Sequence, residues 1–149
     1  MKILGIGSGA REHAIAKKLS ESKYSPKLYW VSDIKNPGLY KLCKESGGEL
    51  IVANILDAEK IGNIAENLKV DFVFVGPEEP NFYGIPNELD KRRIPCIGAN
   101  REVAIIEQSK AIMRRLQWEY DLPGKLLFKT FRNSEEAFQV LKNYEDTLT

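Results

Sequence analysis

The chain has 149 residues, 43% of them hydrophobic, and its 22 Lys and Arg against 21 Asp and Glu leave a net charge of +1. That is enough apolar material for one core and part of another, and the charge balance argues against a nucleic-acid or membrane-surface protein. No stretch approaches the ~20 apolar residues of a transmembrane helix, the N-terminus lacks the order of a signal peptide, and Cys43 and Cys96 stand apart with a single His, which disfavours disulfide and zinc frameworks and fits a reduced cytoplasmic setting.

Ile3, Leu4 and Ile6 make a short apolar run, as expected of a strand buried on both faces. Gly5, Gly7 and Gly9 follow, and from Ala10 the residues favour a helix with Ala10, Ala14, Ile15 and Leu19 on its packed side. A strand, a glycine turn and a helix N-terminus form a place for an anion, because free N–H groups and the helix dipole converge there. Arg11 opposes that dipole. Either a phosphate or carboxylate binds beside it, or it is solvated or pairs with a nearby acid.

Ser25-Pro26 marks a turn, and Lys27 to Ser32 reads as the second strand. Asp33 then stands where a dinucleotide site would place a ribose-binding acid, or simply where a turn residue belongs. Asn36-Pro37-Gly38 leads into a short helix through Leu39, Leu42 and Cys43, with both cysteines expected as small buried hydrophobes. Glu49 to Ala53 predicts a third strand. Asp57 caps a helix through Ile61, Ile64, Ala65 and Leu68. Phe72 to Val75 is the clearest strand, with Gly76-Pro77-Glu78-Glu79-Pro80 leaving its carboxyl end. A helix over Tyr83 to Arg92 and a strand over Pro95 to Gly98 follow.

The alternation predicts an α/β, doubly wound, parallel five-stranded sheet of Rossmann-like type. Three loops share its carboxyl edge: Gly7 to His13, Ser32 to Gly38, and Gly76 to Pro80. A single pocket is expected there. Arg101 to Tyr120 reads as a linking helix, Leu126 to Phe131 as a strand, and Ser134 to Tyr144 as a helix capped by Ser134. The predicted division is residues 1–99, a linker over 100–122, and a further piece over 123–149.

The loops carry a resemblance. Gly7-Ser8-Gly9-Ala10-Arg11-Glu12-His13-Ala14 resembles the G-x-G-G-R-E-H-A signature of the phosphoribosylamine–glycine ligase (glycinamide ribonucleotide synthetase) family. Val75-Gly76-Pro77-Glu78-Glu79-Pro80 is similar to its V-G-P-E-x-P, and Asn36-Pro37-Gly38 falls at its P-G-N-x-G loop. Gly98, Ala104 and Glu107-Gln108-Ser109-Lys110 resemble G-P-…-A-x-x-E-G-S-K, and Leu122-Pro123 the Ile-Pro that ends the linking helix. Ala10, Asn81 and Gln108 depart from the family's glycine, leucine and glycine.

The resemblance implies a pre-ATP-grasp domain, a linker helix and the start of an incomplete ATP-grasp domain. It implies an ATP-dependent carbon–nitrogen ligase of purine biosynthesis that joins phosphoribosylamine to glycine, with ATP and Mg²⁺ or Mn²⁺ serving the full-length enzyme. Its partners are these small molecules, with no nucleic acid or membrane. By carry-over the substrate-binding residues are Gly7, Gly9, Arg11, Glu12, Asn36, Gly38, Gly76, Pro77 and Glu78, with Lys110 on an ATP phosphate. No metal ligand is assigned. The catalytic residues are expected beyond Thr149, so a fragment that neither turns over nor holds the cofactors tightly is expected. His13 is read as packing or positioning. The alternatives are a stand-alone NAD- or nucleotide-binding module, supported by Gly5-x-Gly7-x-x-Ala10 and Asp33, and a non-catalytic interaction domain.

Overall fold

A computed structural model describes residues 1–145. The chain falls into two compact units, Met1–Gln108 and Ser109–Thr149.

In the first unit the strands are β1 (Lys2–Ile6), β2 (Lys27–Ser32), β3 (Leu50–Val52), β4 (Phe72–Val75) and β5 (Cys96–Ile97). They form one sheet in the order β3-β2-β1-β4-β5, with every pairing parallel. The chain runs outward from β1 to β3, then crosses back to β4. The order therefore reverses between β1 and β4, where doubly wound sheets open a crevice at the strands' carboxyl ends.

Alternation along the strands supplies two cores. Leu4, Ile6, Val31, Val73 and Val75 face one side and pack with Ile61 and Ala65 of α3 (Ala58–Leu68) and Ile85 and Leu89 of α5 (Ile85–Lys91). Ile3, Leu28 and Trp30 face the other and pack with Ala16 of α1 (Ala10–Ser20) and Leu39 and Cys43 of α2 (Pro37–Glu45). Both cysteines are free, and burial lifts the Cys43 thiol to about 12 and the Cys96 thiol to about 11.

Several boundaries differ from the expected ones. The packed side of α1 is Glu12 and Ala16 with Ile15 and Leu19, while Ala10 and Ala14 are exposed. A methyl group contributes too little area to decide a helix's orientation. Residues 78–92, expected as the end of a loop and then one helix over 83–92, form two helices: α5 stands for the expected one, and an additional short α4 (Glu78–Phe82) precedes it, separated by Gly84 at φ +82°. A helix cannot run through that left-handed residue, and the Arg101 guanidinium binds the carbonyls of Phe82 at 3.1 Å and Tyr83 at 2.9 Å. The 101–120 helix is likewise two, α6 (Arg101–Gln108) and α7 (Lys110–Glu119). Ser109 interrupts it in an extended conformation, and its hydroxyl accepts the Ile112 N–H at 3.3 Å.

In the second unit the strand expected over 126–131 is absent: these residues lie in no regular element. A strand exists only with a partner to accept its backbone bonds. Helix α8 spans Ser134–Glu145, capped by Asn133 rather than Ser134. Asn133 Oδ1 accepts the Glu136 N–H at 2.9 Å, and Glu136 Oε2 accepts the Arg132 N–H at 2.9 Å. Among the described residues of this unit none is fully buried. No helix of the described residues is long and apolar enough to cross a membrane.

Candidate functional site

The site begins with β1 ending at Ile6. Gly7 continues the sheet, its N–H donating to Val31 O at 3.0 Å, then turns at φ +123°. A Cβ at Gly7 would lie 2.7 Å from both Glu12 Cγ and Pro77 Cδ, so only glycine fits. Trp30, paired in register with Gly5, lays its ring where Gly5 has no side chain, and its indole N–H donates to Gly7 O at 2.8 Å. The glycine turn thus rests on a buried aromatic plate.

Glu12 is the centre of the arrangement. It is 3% exposed, and its Oε2 accepts the Gly9 N–H at 2.7 Å. Its side chain runs under the second loop: a Cβ at Gly76 would fall 2.5 Å from Glu12 Cγ and Oε1. Gly76 itself is held by its N–H on Ile6 O at 3.0 Å. A single carboxylate therefore fills the crevice between β1 and β4 and fixes both glycine loops to it. Oε1 lies 3.3 Å from Arg11 Nε without the geometry of a hydrogen bond, and it is buried with no hydrogen-bond partner. The N–H groups of Ala10, Arg11 and Glu12 take no partner among the described residues.

Arg11 is exposed and reaches across the edge to Glu78, 3.4 Å away. Arg11 thus pairs with a nearby acid, one of the two arrangements expected for it. The Glu78 carboxyl is held below the usual carboxylate range, first by its own backbone N–H and then by Arg11. Glu78 also borders a cavity of about 410 Å³ along α4 and α6, shared with Glu79, Phe82, Tyr83, Glu107 and Gln108.

The third loop joins from β2. Asn36 Nδ2 donates to Ser8 O at 3.0 Å, while Asn36 Oδ1 caps α2 through Gly38 N–H at 2.9 Å and Leu39 N–H at 3.2 Å. Gly38 lies against the His13 ring, which occupies the space a Cβ would need. His13 therefore packs α1 on α2. Asp33 is engaged with the Ser8 hydroxyl, which also accepts the Asp33 N–H at 3.2 Å. The acid expected at a dinucleotide's ribose is thus bound by the glycine loop.

The three loops converge as expected, but the crevice expected to be one open pocket is filled by Glu12. Gly7, Gly9, Arg11, Glu12, Gly76, Pro77 and Glu78 form one cluster, with Asn36 and Gly38 adjoining through Ser8 and His13. Lys110 belongs to the second unit, exposed in the first turn of α7. Sequence reasoning missed Trp30 and Ser8. An aromatic on one strand in register with a glycine on the next is the signal that would have found Trp30. No cluster of three His, Cys, Asp or Glu that could hold a metal ion occurs among the described residues.

Residues 1–107 match the family described as phosphoribosylglycinamide synthetase, N domain. The chain belongs to this family. It is 41% identical over 136 residues to the phosphoribosylamine–glycine ligase of Pyrococcus furiosus, covering 91% of this chain and 30% of that protein. The ligase of Methanosphaera stadtmanae is 38% identical over 146 residues, covering 98% and 32%. The chain thus spans about a third of the length of these relatives. A solved structure titled glycinamide-RNase-transformylase T from Mycobacterium tuberculosis aligns with a TM-score of 0.56 at 17% identity, over 80% of this chain and 35% of that one. It shares the fold.

Proposed function

We propose that this chain supplies the phosphosugar-binding N domain of a phosphoribosylamine–glycine ligase, which joins phosphoribosylamine and glycine at the expense of ATP in purine biosynthesis. The observation that carries this reading is the buried Glu12 carboxylate holding the two glycine loops at the point where strand order reverses, with Arg11 and Glu78 facing each other above it. Unpaired N–H groups at the start of α1 and the Arg11 guanidinium suit a phosphate. Glu78 and Asn36 suit sugar hydroxyls, and Gly7, Gly9, Gly38, Gly76 and Pro77 shape the approach. Phosphate arrival would displace Glu78 from Arg11, an exposed pair that costs little to open.

Within this reading residues 1–99 are the substrate domain, 100–122 the linker and 123–149 the beginning of the ATP-grasp domain, with Lys110 directed to an ATP phosphate. ATP supplies the activation of the glycine carboxylate in the full-length enzyme. The residues of this chain bind and orient the phosphosugar.

Ribose 5-phosphate, a stable stand-in for the phosphosugar, tests the reading by thermal shift and amide NMR. The expected result is protection, with shifts at Gly7, Gly9 and Gly76 that vanish in Arg11→Ala. Protection by NAD with none by ribose 5-phosphate would replace this reading with the dinucleotide module.

A further inference from the structure

The first turn of α1 holds a carboxylate with one oxygen engaged and one idle. Glu12 Oε2 accepts the Gly9 N–H at 2.7 Å, while Oε1 is buried with no hydrogen-bond partner. A buried carboxylate oxygen without a donor is costly to keep. A donor is at hand: Arg11 Nε stands 3.3 Å away, off the line of a hydrogen bond. The outer end of the same side chain is loosely held as well. Arg11 Nη2 reaches Glu78 Oε2 only at 3.4 Å, beyond the usual range, and the two side chains are 60% and 58% exposed. Arg11 thus lies between two carboxylates and makes a good bond to neither.

We propose that Glu12 is the positioning residue of Arg11. When an anion reaches the loops, Arg11 leaves Glu78, its Nε–H turns onto Glu12 Oε1, and both Nη groups are presented to the anion. The guanidinium is a rigid planar fork, so one aligned Nε–H fixes its whole plane. The carboxylate beneath it has little room to move, because Gly7 and Gly76 enclose it so closely that a Cβ on either would collide with it. An amide could not serve. Glutamine has one acceptor oxygen, and two donors, Gly9 N–H and Arg11 Nε–H, need one each. The inference rests on the phosphosugar reading for the identity of the anion, and on the idle Glu12 Oε1 for its geometry.

Glu12→Gln tests it, because its two conceivable effects have opposite signs. A residue that only shapes the loops would, on losing its negative charge, let the site bind a phosphate more tightly. A residue that orients Arg11 makes binding weaker when it is replaced. Isothermal titration with ribose 5-phosphate should show affinity about tenfold lower in Glu12→Gln, since loss of a charge-assisted bond outweighs the Coulomb gain. In an Arg11→Lys background, which keeps the charge and has no Nε–H, Glu12→Gln should not weaken binding. The Arg11 Nε–H resonance of the unaltered chain, assigned by its absence from Arg11→Lys, should move downfield and exchange more slowly on saturation. That spectrum decides the matter without the variant should Glu12→Gln fail to fold.

Equal or tighter binding by a folded Glu12→Gln, or an Nε–H resonance that does not respond when ribose 5-phosphate binds, would overturn the inference and leave the phosphosugar reading in place. So would an equal loss of affinity in the Arg11→Lys background. If inorganic phosphate binds and moves the Nε–H resonance while ribose 5-phosphate does not bind, the positioning role stands and the phosphosugar reading falls. If neither anion binds, both fall.

Discussion

Replacing Glu12 is the sharpest test of the site's construction. Glu12→Ala removes the acceptor of the Gly9 N–H at 2.7 Å and empties the space beneath Gly7 and Gly76. Stranding one donor costs about 1–3 kcal/mol. Losing a negative charge from the first turn of α1 costs roughly 0.3–1 kcal/mol more. Relief of the unpartnered Oε1 offsets part of this. The net is a loss of about 2–3 kcal/mol, or roughly 10 °C in Tm for a unit of this size. Glu12→Gln keeps the shape and the carbonyl that accepts from Gly9, and places an NH₂ where Oε1 has no partner. It should fall within about 1 kcal/mol of the parent. Urea unfolding followed by far-ultraviolet circular dichroism separates the two. If alanine costs under about 0.5 kcal/mol, or glutamine costs as much as alanine, the carboxylate does not hold the loops.

Trp30→Phe should destabilise by about 2–4 kcal/mol in the same assay, because Gly7 O loses its donor and a smaller ring leaves a void beside Gly5. Gly38→Ala should cost about 1–3 kcal/mol through overlap with His13, and the cost should disappear in a His13→Ala background, a coupling read by a double-mutant cycle. The Cys43 and Cys96 thiols, at about 12 and about 11, should stay unreactive towards a disulfide reagent at pH 8 until urea unfolds the chain. Arg92, on Glu88 and Glu66 at 2.9 Å each, depresses the Glu88 carboxyl, so its contribution is present above the ordinary value of 4.5 and fades as pH falls through the lower folded value. Arg92→Met should therefore lower Tm at pH 7 and converge with the parent as pH falls below the depressed Glu88 value.

Much of the fold was legible because β1 and β4 are central parallel strands, whose two-sided burial writes an unbroken apolar run such as Phe72 to Val75. The loops between strands and helices were legible through their glycines and prolines. Glu12 was visible as a motif residue but its burial was not: position 12 is in step with Ile15, Ala16 and Leu19, yet a carboxylate's charge argues for solvent, and only a loop from a distant strand, Gly76, encloses it. The Arg11–Glu78 pair spans 67 positions in sequence and depends on β1 and β4 being neighbours. Residues 126–131 have strand composition and no strand, since composition cannot supply the neighbour that pairing requires. The break at Ser109 was hidden because a serine suits both a cap and a tolerated helix position.

The plate beneath the glycine turn has a practical consequence. Trp30 is fully buried with its indole N–H on Gly7, whereas Trp118, in the other unit, is 43% exposed. The two fluorophores should emit at different wavelengths, blue-shifted for the first and red-shifted for the second. Changes at the glycine loops and changes in the second unit can then be followed in one cuvette, each by its own intrinsic label.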